Sequence, residues 1–196
     1  MRPRCRCGYS LVELACAIAL TTTLSAIAIP RILVGLDDAR ALGAARYFTG
    51  LLYHARMEAV ARSASVALRF ERTAAGYVYA IYVDGNRTGV LSRDIQRGID
   101  RQLQPPERLT DRFPGVDFGT LPALPPVDAG APPPGADPVR VGSSDILTFS
   151  ALGTSSSGSL YILGRQGAQY VVRVFGDTGK IRLVRFDSRS KRWIPL

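Results

Sequence analysis

Cysteine and histidine are scarce in this 196-residue chain, which holds three of the first and one of the second. Cys5 and Cys7 lie close to the N-terminus and Cys16 sits inside an apolar run, so residues 31–196 have no thiol with which to build a disulfide. Cys5-Arg6-Cys7 is too tightly spaced for a redox or zinc pair, and no second pair follows it. His54 has no companion at metal-ligand spacing and reads as a helix-surface or packing residue. No Ser/His/Asp or Cys/His constellation stands out either, so the sequence is expected to be non-enzymatic and to carry no cofactor.

Charge is missing from one long stretch. Between Tyr9 and Ile29 the sole ionisable acid or base of the Asp, Glu, Lys, Arg and His set is Glu13. A run of this kind meets the requirement of about 20 apolar residues for a helix that crosses a bilayer once. Arg2, Arg4 and Arg6 precede it, which places the N-terminus in the cytoplasm and the remainder of the chain outside. Ala26 and Ala28 imitate a secretory cleavage site, but Ile29-Pro30 follow and Glu13 interrupts the near edge. A carboxylate at the margin of hydrocarbon is costly unless a cation neutralises it, so Glu13 implies a positively charged partner at membrane depth.

The segment Gly8-Tyr9-Ser10-Leu11-Val12-Glu13-Leu14 closely resembles the prepilin signature. That resemblance implies cleavage between Gly8 and Tyr9 by a prepilin peptidase on the cytoplasmic side, followed by N-methylation of Tyr9. The new amine of one subunit would then neutralise Glu13 of its neighbour. Such a pair acts chiefly as a register device, since an uncompensated buried charge costs about 3–5 kcal/mol. Pro30 is the twenty-second residue of the processed chain, where pilins commonly carry a helix-kinking proline. Residues 1–8 are accordingly expected to be a cleaved basic leader and 9–30 a transmembrane and assembly helix.

Beyond Pro30, Ala41, Ala45, Phe48, Leu52, Ala55 and Ala59 recur in steps of four and three, the spacing of one helix face. A single helix from about Ser10 to Arg62 is predicted, with residues 31–64 as its amphipathic half and 65–196 as a β-rich domain. Ser65–Glu71 and Tyr77–Val83 read as a hairpin around Thr73-Ala74-Ala75-Gly76. Four more strand-like runs, at 145–150, 159–164, 170–176 and 180–186, suggest an antiparallel meander. The predicted fold is α+β and pilin-like, a long N-terminal helix packed on an antiparallel β-meander.

Prolines gather at about 103–140, including Pro105-Pro106, Pro125-Pro126 and Pro132-Pro133-Pro134, and this segment reads as an extended surface excursion. Asp84, Asn86 and Asp94 are placed somewhat as in a calcium loop. Thr88 at the fifth position and Ile95 at the twelfth break that pattern, so an Asx/Gly turn without metal is the reading.

Removing the leader leaves 22 basic against 16 acidic side chains, and the stretch from Arg165 holds eight basic and two acidic of these. Lys180, Arg182, Arg185, Arg189, Lys191 and Arg192, with Trp193, could contact phosphates and stack a base. A solvated basic edge strand that blocks edge pairing is the alternative. Arg56-Met57-Glu58-Ala59-Val60, Ile146 to Gly153 and Gly158 to Leu163 resemble the GspH/FimT-like pseudopilins, with no counterpart for 96–144. Gly179-Lys180-Ile181-Arg182 resembles a Gly-Arg-x-Arg element of DNA-capturing minor pilins, with lysine replacing the first arginine.

The resemblance implies a minor pseudopilin of a type II secretion system, an inner-membrane single-pass precursor whose exported domain joins a periplasmic pseudopilus and supports protein secretion. Its partners would be prepilin peptidase, other minor and major pseudopilins, the inner membrane and a secreted substrate. The alternative from a binding class is a type IV pilus minor pilin that takes up DNA.

Overall fold

The computed structural model describes residues 10–128 and 130–196. Leading residues 1–9, with the leader arginines, Cys5, Cys7, Gly8 and Tyr9, lie outside that description. The elements in order are α1 (Leu11–Arg62), β1 (Val66–Thr73), β2 (Gly76–Val83), α2 (Ser92–Gln96), β3 (Arg101–Gln102), β4 (Glu107–Arg108) and α3 (Leu109–Arg112). They continue with β5 (Val116–Phe118), β6 (Val139–Arg140), β7 (Ile146–Phe149), β8 (Gly158–Gly164), β9 (Gln169–Phe175), β10 (Lys180–Asp187) and β11 (Arg192–Pro195). One compact unit ends at Leu36 and a second comprises Asp37–Leu196.

The helix α1 forms as predicted. Alanine and leucine dominate it, and Thr21, Thr22 and Thr23 turn their hydroxyls back onto helix carbonyls three or four residues earlier. Pro30 lies inside the helix and has no N–H to contribute to the ladder there. In the second unit the predicted alanine stripe is buried, with Ala41, Ala45, Phe48, Leu52, Ala55 and Ala59 fully inaccessible, joined by Ala44. Small residues on this face let the sheets approach the helix backbone closely. The helix ends at Ser63, whose φ of 50° is left-handed, while the Ala64 N–H donates to the Ala59 carbonyl.

The predicted hairpin is present, β1 pairing antiparallel with β2 from Val66↔Val83 to Thr73↔Gly76. Gly76 has a φ of 109°, and a Cβ there would collide with the Asp117 carboxylate, so the turn requires glycine. The four later runs, however, do not share one meander. Strand β7 pairs with β1 in the register Val66↔Phe149, giving a first sheet ordered β3-β2-β1-β7 with β4 also on β2. The second sheet runs β11-β10-β9-β8-β5, with β6 also on β8. Alternation in sequence specifies which face a residue takes, not which strand lies beside it, so the division into two sheets was not legible.

Phe48 joins the layers: its ring lies 5.1 Å from Tyr79 and 6.0 Å from Phe70 of the first sheet, and 5.2 Å from Phe118 of the second. A further cluster of Leu124, Tyr161, Val171 and Val184 occupies the other face of the second sheet. There the proline-rich segment departs from the sequence expectation of a surface excursion. It contributes β5 and β6 to the second sheet and packs Leu121, Leu124 and Val127 onto it. Because β4, β5 and β6 contain no proline, Pro105, Pro106 and Pro114 preceding β5 and the others falling between β5 and β6, no ladder bond is lost to them.

Candidate functional site

In the first unit Glu13 lies in the first turns of α1 and is exposed, as are all described residues through Leu36. The helix is long and apolar enough to cross a membrane. Glu13 and Pro30 stand on one continuous helix, separated by residues that carry no charge.

In the second unit, the start of the helix is fastened by two acids that sequence reasoning passed over. Asp37 is buried and accepts a hydrogen bond from the Gln166 N–H at 2.8 Å. Asp38 accepts one from the Tyr170 hydroxyl at 2.9 Å and pairs with Arg185 at 3.2 Å. Burial first, and then the bond to Asp38, push the Tyr170 phenol up to about 12. A doublet of acids just after an apolar run was the signal available for this clamp.

Arg56, in the stretch that resembles the pseudopilin helix end, acquires a physical role. Its Nε donates to the Gly153 carbonyl at 2.9 Å and its Nη2 to the Thr178 carbonyl at 3.2 Å, tying two loops to the helix. Gly179, with a φ of 59°, lets those loops meet, since a Cβ there would strike the Gly153 carbonyl. Arg56→Ala is expected to cost about 1–2 kcal/mol, because the donors are charged but one bond is exposed. A urea titration of the full chain in detergent measures this. Arg56→Lys should recover part of the loss, because an ammonium lacks the guanidinium fork.

The basic C-terminal residues separate into two groups. Arg182 pairs with Asp128 at 3.4 Å, a carboxylate that also holds Arg173 at 2.7 Å, and Arg185 is paired with Asp38. Lys180, Arg189, Lys191 and Arg192 are exposed. Trp193, expected as a stacking surface, packs its ring against Phe186 at 5.1 Å and Tyr161 at 6.2 Å. Its Nε1 donates to the Pro125 carbonyl at 3.0 Å, so the tryptophan also fastens the proline-rich segment. The interaction between Asp128 and the two arginines is another contact that sequence alone did not show.

The Asp84 loop is an Asx turn, as the sequence suggested. Asp84 accepts from the N–H groups of Asn86, Arg87 and Gly89, at 3.0, 2.8 and 2.8 Å. Asp94 is buried and receives the Asn86 amide and the Thr88 hydroxyl, each at 3.4 Å. Among the described residues no group of three or more His, Cys, Asp or Glu side chains is arranged to hold a metal ion. His54 is exposed on the helix and lies 3.8 Å from Glu58.

A long helix with an apolar head and a core formed against two antiparallel sheets defines an α+β protein of the pilin-like class. The sequence profile of the family described as type II transport protein GspH matches residues 44–178, and the chain belongs to that family. Among solved structures it is similar to the minor pseudopilin EpsH from the type 2 secretion system of Vibrio cholerae. The two are 15% identical with a TM-score of 0.46, over 74% of this chain and 97% of that one. No curated protein matches the chain in sequence.

Proposed function

We propose that this chain is a minor pseudopilin that assembles with other pseudopilins into a periplasmic filament of a type II secretion machine and supports protein export. Its role is structural, with the second unit presenting the surfaces that meet neighbouring subunits or secreted protein. The observation that carries this reading is the family match over residues 44–178 on a helix whose exposed apolar head holds Glu13 as its lone charge before Arg31.

Processing supplies the missing cation. Cleavage between Gly8 and Tyr9 by prepilin peptidase creates an amine, methylated on Tyr9, which the carboxylate of Glu13 on the next subunit neutralises. Before cleavage the chain is a single-pass inner-membrane protein with a cytoplasmic N-terminus and a periplasmic domain, held by the arginines ahead of the apolar run. Mass spectrometry of the chain extracted from membranes tests this. The expected species begins at a methylated Tyr9, and Gly8→Asp should accumulate with its leader intact. A wild-type chain that keeps residues 1–8 in cells with active prepilin peptidase would overturn the reading.

A further inference from the structure

The second sheet carries a row of arginines across four of its strands. Directly opposed residues run Arg140↔Ser159 between β6 and β8, Ser159↔Arg173 between β8 and β9, and Arg173↔Arg182 between β9 and β10. Opposed side chains share a face of the sheet, here the face of Tyr161, Val171 and Val184. Like charges directly opposite one another destabilise a sheet, as Arg173 and Arg182 do here. Asp128, brought in by the proline-rich segment, relieves this by pairing with both, at 2.7 and 3.4 Å. Among the described residues no other carboxylate is within ion-pair distance of Arg140, Arg173 or Arg182, so one acid faces three guanidiniums. The Nε of Arg182 is also buried without a hydrogen-bond partner among the described residues.

A pocket of about 190 Å³ lies over this row, lined on the sheet by Arg140, Ser159, Tyr161 and Arg173 and on the other side by Asp128 and Pro132. That is smaller than the roughly 300–1,000 Å³ typical of sites for drug-sized ligands, so it suits a single small group. The donors around it are held in place. Arg140 Nη1 donates to the carbonyls of Pro132 and Pro133 at 3.2 and 3.3 Å, which leaves other N–H groups of its guanidinium to donate elsewhere. Arg173 is fixed through its Nε to Asp128 and its Nη1 to the Gly158 carbonyl at 3.1 Å, so its Nη2 remains. Burial pushes the Tyr161 phenol up, with Arg140 and then Ser159 and Arg173 opposing it, so its hydroxyl stays protonated as a donor beside them.

We infer that this pocket binds a phosphate group, held by Arg140 and Arg173 with the hydroxyls of Ser159 and Tyr161. The charge matches: a phosphate monoester carries about −1.5 to −2 at neutral pH, and the row has two more positive charges than negative. The shape matches as well. Donors come from β6, β8 and β9, and a tetrahedral oxyanion offers oxygens in several directions, whereas a carboxylate offers two in one plane. The inference is independent of the assembly head, since every residue in it belongs to the second unit.

Equilibrium dialysis of the full chain in non-ionic detergent micelles against radiolabelled inorganic phosphate, with chloride holding the ionic strength constant, tests it. Saturable binding is expected, and Arg140→Gln should weaken it ~10-fold or more through the loss of a charge-assisted contact. Ser159→Ala removes a donor and no charge, and should weaken it about 3- to 10-fold. Arg97→Ala, at an exposed arginine outside this sheet, should leave it unchanged. Circular dichroism checks that each variant is folded, and if one is not, the other decides. Displacement of the label by glycerol phosphate would identify a soluble phosphomonoester as the source, and displacement by phosphatidic acid added to the micelles a lipid headgroup. Wild-type binding no greater than in a chain-free control, or binding undiminished in the folded variants, would overturn the proposal. So would displacement by acetate as effective as that by glycerol phosphate, which would assign the pocket to a carboxylate. Displacement by a DNA duplex without terminal phosphates, at a lower concentration than glycerol phosphate requires, would overturn it in favour of a phosphodiester backbone.

Discussion

Phe48→Ala is expected to lower the stability of the second unit by about 3–5 kcal/mol, the usual range for removing a buried aromatic ring. Phe48 is fully inaccessible and its ring meets Phe70, Tyr79 and Phe118, so its loss opens a cavity bounded by the helix and both sheets at once. Those neighbours are themselves aromatic and mutually packed, with Phe70 and Phe118 at 5.6 Å, and cannot collapse easily into the space. Against a total of roughly 5–15 kcal/mol for a domain, much of the folded population is at risk. A urea titration of the full chain in detergent, followed by far-ultraviolet circular dichroism, measures the change. Leu152→Ala is the matched control: Leu152 is 92% exposed, and its loss should fall within about 0.5 kcal/mol. A Phe48→Ala effect as small as the control's would show that the helix does not seal the two sheets.

Glu13→Val is expected to leave cleavage after Gly8 intact and to abolish incorporation into the filament. Valine suits the surrounding hydrocarbon better than a carboxylate, so anchoring should improve if it changes at all. The amine of the neighbouring subunit, however, would be left at membrane depth without a counter-charge, at a cost of about 3–5 kcal/mol. At 1.4 kcal/mol per factor of ten, that lowers assembled protein by roughly 100-fold or more. Glu13→Gln, which keeps shape and hydrogen bonding but no charge, should fall between the two. Cross-linking in membranes reports incorporation, and the mass of the monomer reports cleavage. Wild-type incorporation of Glu13→Val would remove the register role from Glu13.

Much of this architecture was readable beforehand because it is local. The stripe from Ala41 to Ala59 repeats at the spacing of one helix face, and every predicted member is buried. The β1–β2 hairpin was readable from Gly76 and the alternating residues beside it, and the Asp84 turn from side chains that bond their own backbone. Contacts distant in sequence were not readable. Nothing in Ile146–Phe149 states that its partner is Val66–Arg69 in one sheet while β8 to β11 form another. Likewise Asp128 gives no local sign of Arg173 and Arg182, nor Pro125 of Trp193.

By itself the sequence determined the charge-free run that isolates Glu13, the proline at position 30, the buried stripe of the helix and the basic excess at the C-terminal end, because each depends on composition or near-neighbour spacing. Tertiary structure decided the rest. It assigned the strands to two sheets, committed Arg182 and Arg185 to carboxylates and docked the proline-rich segment. Those outcomes depend on which distant surfaces exclude water together, and a chain specifies that choice through the packing of its whole core rather than through any one segment.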